Sequence, residues 1–100
     1  MSKLKEVLES SEYVIVTAAA KWCGYCTKFA PIFQEVAQEH GSMYTFTKVD
    51  IQEEVEFPQA YKINGFPTTL FMKNGVEVGR EVGYMPKEKF TESIAKHFGK

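Results

Sequence analysis

The chain has 100 residues, of which 44% are hydrophobic and 25% are charged, and this size and composition indicate one compact domain over residues 1–100 rather than a disordered tail. Its 12 basic and 13 acidic side chains give a formal charge of −1, so it lacks the positive field that binds nucleic acid or an anionic membrane surface. The mixed charges of Met1–Glu6 do not form a signal peptide, and no apolar stretch approaches the roughly 20 residues that span a bilayer, so a cytoplasmic protein is expected.

The first half of the chain predicts a helix, a strand and a second helix. Residues 2–10 carry Leu4, Val7 and Leu8 at helical spacing. Tyr13–Ala18 is an apolar run without alternation, which is typical of a central strand buried on both faces. Apolar residues recur at spacings of three and four between Cys23 and His40, which predicts a long helix. Gly41 follows at the C′ position that closes a helix. Pro31 lies inside this helix, where a kink is expected.

The middle of the chain predicts a second strand and an irregular helix. Met43–Asp50 reads as a strand, and a strand, helix, strand unit in a small domain places its two strands parallel. Asp50 suits the N-cap of a following helix. Glu54–Lys62 is weakly helical and is interrupted by Pro58, which predicts an irregular helix there.

The last third predicts a hairpin and a final helix. The runs at residues 68–72 and 76–82 flank Asn74–Gly75, a strong hairpin signal because both turn residues tolerate positive φ. Pro86 suits the N1 position of a last helix. The buried face of that helix is expected to carry Phe90, Ile94 and Phe98. The predicted order is αβαβαββα.

Two cysteines open the long helix, within Trp22–Cys26, directly after the buried strand. A sulfur at Cys23 can cap the helix, where free N–H groups and the helix dipole favour a nucleophilic thiolate. Cys26 lies one turn away on the same face and is expected to be shielded, and it can displace whatever Cys23 captures from a disulfide. Gly24 allows a substrate backbone to approach, and a short loop is expected to leave Cys23 exposed.

Other interpretations of the two cysteines remain open. They could be buried residues that only pack, although the start of a helix is a poor place for such a pair. A zinc site needs four ligands, and the remaining candidates, His40 and His97, lie far along the chain. Two chains could also share an iron–sulfur cluster through their Cys23 thiolates.

Aromatic residues and a proline are expected to surround the sulfur. Trp22 directly precedes Cys23 and is predicted to form a partly exposed platform, while Tyr25 should face solvent. Phe66–Pro67 stands at the start of a predicted strand, where a peptide could pair with the backbone by strand addition. Because few X–Pro bonds are cis, the residues alone predict a trans Pro67.

Taken together, these motifs resemble the thioredoxin family over nearly the whole chain. The matching segments are Trp22–Cys26, Pro31, Gly65–Thr68, Lys73–Gly75 and Val82–Gly83. The resemblance implies a thioredoxin-like α/β fold, and the strands predicted here give it a central four-stranded mixed sheet flanked by helices. It also implies that Cys23 attacks, that Cys26 resolves, and that Pro67 is cis and faces the disulfide.

The resemblance further implies the substrate surface and the source of electrons. The backbone of Phe66 would pair with the substrate, and the substrate-binding residues would be Trp22, Gly24, Tyr25, Phe66, Pro67, Gly83 and Tyr84. No bound cofactor is expected, and recycling would come from NADPH through a flavin-containing thioredoxin reductase. Partners would be disulfide-containing proteins, and the protein is expected to be a monomer.

Three features depart from the family pattern. Tyr25 stands where thioredoxins usually have proline, which implies a more oxidising disulfide. Thr17 replaces a buried aspartate and cannot accept a proton from Cys26, so deprotonation would need water or the departing substrate thiolate; Lys48 is a candidate nearby charge. Only 22 residues precede Cys23, which predicts four strands rather than five.

The sequence therefore predicts a thiol–disulfide oxidoreductase that reduces protein disulfides, with use as an oxidant or isomerase left open. Tyr25 suggests a glutaredoxin-like enzyme that uses glutathione as one alternative. Phe66 and Thr68, which flank Pro67, offer no cationic site for the carboxylates of glutathione. A binding module without catalysis, or a carrier of a cysteine-ligated cluster, is the other alternative.

Overall fold

A computed structural model describes the backbone of residues 2–99 and the side chains of residues 5–99. Its elements follow the predicted order αβαβαββα. They are α1 (Ser2–Glu9), β1 (Tyr13–Ala19), α2 (Gly24–His40), β2 (Thr45–Asp50), α3 (Phe57–Ala60), β3 (Thr68–Lys73), β4 (Val76–Val82) and α4 (Lys87–Phe98). Leu8 of α1 is buried as the apolar spacing predicts, whereas the side chain of Leu4 lies outside the described residues.

The strands form a mixed sheet in the order β2-β1-β3-β4. β1 and β2 run parallel, from Val14 beside Thr45 to Ala19 beside Asp50. β3 pairs antiparallel with both β1 and β4. Residues 2–99 contain four strands, which agrees with the predicted four-stranded mixed sheet.

Each face of the sheet packs against its own apolar core. Val14, Val16 and Ala18 of β1 lie in one core with Leu8 of α1 and Phe57 of α3. Ile15 lies in the other core, which is rich in aromatic side chains from α2 and α4: Phe29, Phe33, Phe90 and Phe98. β1 is therefore buried on both faces, as its apolar run without alternation predicts.

The β3–β4 hairpin turns at Asn74 and Gly75, whose φ angles of 52° and 81° match the predicted positive-φ turn. Near the middle of the hairpin the register shifts between Phe71 and Met72, which lie opposite Gly79 and Glu77. The shift is typical of a β-bulge, which increases the local twist of the hairpin.

Two predicted helix signals act differently in the structure. α2 ends at His40 as predicted, but Gly41 has φ −66° and so does not use the left-handed conformation expected of a C′ glycine. A Cβ at residue 41 would lie 2.8 Å from the Ala37 carbonyl oxygen, so glycine is needed there for close approach. Pro86 is the N-cap of α4 rather than its N1 residue, and its extended ψ of 161° places it just outside the helix. Pro31 lies inside α2, and the kink there stays a prediction.

The irregular helix predicted over Glu54–Lys62 is wrong in its extent. α3 covers only Phe57–Ala60, with Pro58 in its first turn. A proline without an N–H can occupy the first turn of a helix but not its interior, so the helix begins at this point. Asp50 caps a turn rather than a helix, since its Oδ1 accepts the Gln52 N–H at 2.8 Å and residues 51–56 form turns and a bend.

Candidate active site

Cys23 lies at the N-cap of α2, where β1 has ended and the helix begins. Its backbone is extended (φ −93°, ψ 114°), and its Sγ accepts the Cys26 N–H at 3.2 Å. Its carbonyl oxygen accepts the Thr27 N–H, also at 3.2 Å. The predicted capping of the helix by sulfur is confirmed, and this position gives the sulfur a backbone donor and the positive end of the helix dipole.

The expectation that Cys23 is exposed is wrong. Only 8% of the residue is accessible, because the loop before β3 lies against it. The Cys23 thiol donates to the Phe66 carbonyl oxygen at 3.6 Å, and Phe66 packs against the small cluster that contains both cysteines. In the dithiol form the nucleophile is therefore held between the helix start and the Phe66 backbone.

Cys26 is shielded, as predicted, with 6% of the residue accessible, and neither cysteine is in a disulfide. Burial, followed by the hydrogen bond with Cys23, raises the pKa of the Cys26 thiol to about 11. The Ala20 backbone and the charge of Lys48 act in the opposite direction on this pKa. Cys26 is therefore held as a neutral thiol at neutral pH.

The loop at residues 66–67 links Cys23 to the end of β4. The Phe66–Pro67 peptide bond is cis, as the resemblance implies. The trans bond expected because few X–Pro bonds are cis is therefore wrong. The Pro67 carbonyl oxygen accepts the Gly83 N–H at 2.7 Å, which ties this loop to the end of β4. Tyr84 lies against α2 instead, with its ring 6.5 Å from that of Phe29.

Aromatic side chains surround the buried sulfur and face solvent. Trp22 is 68% exposed, and its ring meets the half-buried Phe66 ring edge-on at 5.8 Å. Tyr25 is 63% exposed, and a Cβ built on the exposed Gly24 meets nothing within 4 Å. The predicted exposed positions of Trp22 and Tyr25 are confirmed, and they border open space above the motif.

Sequence reasoning missed a cleft beside Cys26 whose lining includes neither Cys23 nor Phe66. This cleft of about 360 Å³ is lined by Cys26, Lys48, Asp50 and Lys21, together with Ala19, Ala20, Thr27 and Ala30. Thr17 lies outside this lining and is buried beside Thr69, with 3.4 Å between the two hydroxyl oxygens. Strand alternation combined with a parallel β1–β2 pairing was the signal that could have placed Lys48 and Asp50 there.

The two histidines do not join the cysteines. His40 is the last residue of α2, and His97, near the end of α4, lies 2.8 Å from a Glu81 carboxylate oxygen. Within residues 2–99, no group of three or more His, Cys, Asp or Glu side chains is placed to hold a metal ion. None of the helices in that part of the chain is long and apolar enough to cross a membrane.

Comparisons with known proteins agree with this geometry. The thioredoxin family model matches residues 2–96. The thioredoxin of Mycoplasmoides gallisepticum is 35% identical over 93 residues, which cover 93% of this chain and 92% of the relative. The thioredoxin of Bacillus subtilis is 38% identical over 90 residues, covering 89% of this chain and 86% of the relative.

Solved structures give the same result. The thioredoxin of Malassezia sympodialis, Mala s 13, superposes with a TM-score of 0.86 at 30% identity, over 96% of this chain and 84% of that one. The oxidised thioredoxin of Plasmodium falciparum also gives 0.86 at 30% identity, over 96% and 90% of the two chains. With its Cys23–Cys26 pair at the start of α2, the chain belongs to the thioredoxin family.

Proposed function

We propose that the protein reduces disulfides in other proteins by two successive thiol–disulfide exchanges. The Cys23 thiolate attacks one sulfur of the substrate, a Cys23–substrate disulfide forms, and the other substrate sulfur leaves as a thiolate. Cys26 then loses its proton and attacks the Cys23 sulfur, which forms the Cys23–Cys26 disulfide and releases the second substrate thiolate. The substrate gains two electrons, and the enzyme is oxidised from dithiol to disulfide.

One observation carries this proposal: the Cys23 sulfur caps α2 while Cys26 lies one turn further on with a raised thiol pKa. The cap supports the first attack, because a backbone N–H and the helix dipole both favour negative charge on Cys23. The raised pKa keeps Cys26 neutral until the mixed disulfide has formed. The order of attack therefore follows from position on the helix.

The substrate would bind over the exposed surface beside Cys23. The residues that we propose for this contact are Trp22, Gly24, Tyr25, Phe66, Pro67, Gly83 and Tyr84. Trp22 offers an exposed ring, and the Phe66 carbonyl, which now accepts the Cys23 thiol, can accept a substrate N–H instead. Lys28 lies 5.3 Å from the centre of the Tyr84 ring, which places a positive charge at the edge of this surface.

Thioredoxins need no bound cofactor, and we propose that this chain takes its electrons from NADPH through a thioredoxin reductase. We further propose that it acts as a single-domain monomer in the cytoplasm. Two assays at the same concentration of this protein test the source of electrons. One measures turnover with thioredoxin reductase and NADPH, and the other measures turnover with glutathione. Faster turnover with glutathione would favour the glutaredoxin-like alternative suggested by Tyr25.

Insulin reduction with the single variants Cys23→Ser and Cys26→Ser tests the reaction itself. The two substitutions are matched, since each replaces one buried sulfur in the same motif by a hydroxyl. We expect Cys23→Ser to lose activity and to form no adduct. We expect Cys26→Ser to accumulate a mixed disulfide that mass spectrometry detects at Cys23. Unchanged turnover in Cys23→Ser would refute the proposal.

A further inference from the structure

The cleft behind Cys26 joins the resolving thiol to charged side chains. Its volume of about 360 Å³ is many times the roughly 30 Å³ that one water molecule occupies in the liquid, so solvent can reach the thiol from this side. Its charged lining residues are Lys21, Lys48 and Asp50. The Lys21 side chain is 77% exposed, which marks the outer rim of the cleft.

Strand alternation explains why Lys48 and Asp50 reach this cleft. Ile15 of β1 lies in the core shared with α2, so Thr17 and Ala19, at the next alternate positions, face the same side of the sheet. Parallel pairing places Lys48 beside Thr17 and Asp50 beside Ala19. Paired side chains point to the same face, so both charged residues of the edge strand β2 face the side that α2 covers.

Asp50 is held in place but keeps one carboxylate oxygen available. Its Oδ1 accepts the Gln52 N–H at 2.8 Å. Its Oδ2 lies 3.9 Å from the Lys21 ammonium nitrogen, which is too long for a hydrogen bond, and the side chain is 21% exposed. Asp50 is therefore a fixed, partly buried carboxylate with an oxygen that can receive a proton.

Resolution of the mixed disulfide requires a proton acceptor for Cys26. Cys23 cannot serve, because its sulfur is then bonded to the substrate. Thr17 cannot serve either, because it is an uncharged hydroxyl and lies outside the cleft lining. We propose that Asp50 takes this proton through solvent in the cleft, so that the carboxylate becomes a carboxylic acid as the Cys26 thiolate attacks the Cys23 sulfur.

The bonds and charges of this step balance. The Cys26 S–H bond breaks and an O–H bond forms on Asp50. The Cys23–Cys26 bond forms as the Cys23–substrate S–S bond breaks, and the substrate leaves as a thiolate that afterwards takes up the proton from Asp50. The titratable groups around Cys26 are Cys23, which hydrogen-bonds with it, and Lys21, Lys48 and Asp50, which line the same cleft. Lys48 lowers the pKa of Cys26, so it stabilises the thiolate that the transfer creates.

Stopped-flow reaction of the reduced protein with one equivalent of 5,5′-dithiobis(2-nitrobenzoate) tests this inference, which rests on the proposed function. The first coloured thiolate is released when Cys23 attacks, and the second when Cys26 resolves the adduct. The first phase therefore reports on the proposed function and the second on Asp50. The variants are Asp50→Asn, whose amide oxygen can still accept the Gln52 N–H, and Glu53→Gln, which neutralises an exposed acid outside the cleft lining.

We expect Asp50→Asn to slow the second phase at least tenfold at pH 6, because a positioned general base accelerates a reaction by roughly 10²–10⁴-fold. In the unmodified protein this rate should level off towards acid pH, because transfer within the molecule needs no hydroxide. In Asp50→Asn it should fall about tenfold for each pH unit. Glu53→Gln should match the unmodified protein.

The sign of the effect separates proton acceptance from simple electrostatics. Removing a negative charge from the cleft lining cannot by itself disfavour the thiolate, so electrostatics alone predicts a second phase that is unchanged or faster. A second phase that is unchanged or faster in Asp50→Asn, or equally slowed in Glu53→Gln, would overturn the assignment of Asp50. A first phase that persists in Cys23→Ser would overturn the proposed function instead.

Discussion

Gly79 of β4 lies directly beneath the His97 ring, and we predict that alanine there destabilises the protein. A Cβ at residue 79 would lie 2.0 Å from His97 Nδ1, well inside any real contact. The ring cannot easily move, because its Nε2 lies 2.8 Å from Glu81 Oε2 and its centroid lies 4.6 Å from that of Phe71. Gly79→Ala must therefore displace His97 from both contacts.

The cost of Gly79→Ala can be worked from the contacts that it breaks. Loss of the His97–Glu81 hydrogen bond costs about 1.5–3 kcal/mol, and loss of the ring contact with Phe71 costs about 0.5–1.5 kcal/mol. Alanine in a strand recovers about 0.5–1 kcal/mol relative to glycine, and the φ of Gly79 is outside the left-handed region. The free energy of unfolding should fall by about 1–4 kcal/mol.

Urea denaturation of four proteins tests this reasoning: the unmodified chain, Gly79→Ala, His97→Ala and the double variant. In the His97→Ala background the obstructing ring is gone, so Gly79→Ala should stabilise the fold by about 0.5–1 kcal/mol. The effect of the same substitution therefore changes sign between the two backgrounds. Equal losses in both backgrounds, or no loss in the unmodified chain, would show that the His97 ring does not occupy this position.

Two further substitutions probe the fold that supports the site. Phe90 is fully buried against the rings of Phe29 and Phe33, so Phe90→Ala should lower the free energy of unfolding by about 3–5 kcal/mol in urea; a loss below about 1 kcal/mol would contradict this core. Arg80 donates to both carboxylate oxygens of Glu77, at 2.6 and 2.8 Å, which lysine cannot reproduce. Arg80→Lys should therefore cost about 1 kcal/mol, measured as a lower thermal midpoint. The losses caused by Arg80→Lys and Glu77→Gln should not add in the double variant, and additive losses would contradict this pairing.

Features that depend on a local pattern could be predicted from the sequence. The apolar run of β1, the Asn74–Gly75 turn and the cysteine spacing each determine their structure within a few residues. The shielding of Cys26 follows in the same way, since it lies one turn inside a helix whose inner face is buried. The order of the elements and the position of the cysteine pair at the start of α2 were therefore predictable.

Features that depend on distant segments could not be predicted. Cys23 is buried because Phe66, 43 residues away, lies against it, and nothing in the motif itself indicates that contact. The cleft depends on the register that places Asp50 beside Ala19. Asp50 therefore read as a helix cap, although the structure places it on the lining of the space behind Cys26.

The proposed mechanism requires that Cys23 is the nucleophile and that Cys26 is held as a neutral thiol, and limited alkylation measures the relative reactivity of the two sulfurs directly. Cys23 and Cys26 are 8% and 6% exposed, so accessibility does not distinguish them. With a pKa of about 11, only about one Cys26 thiol in 10⁴ is ionised at pH 7. We predict that substoichiometric iodoacetamide at pH 7, followed by peptide mapping, labels Cys23 before any label reaches Cys26. Equal labelling, or labelling of Cys26 first, would contradict the account.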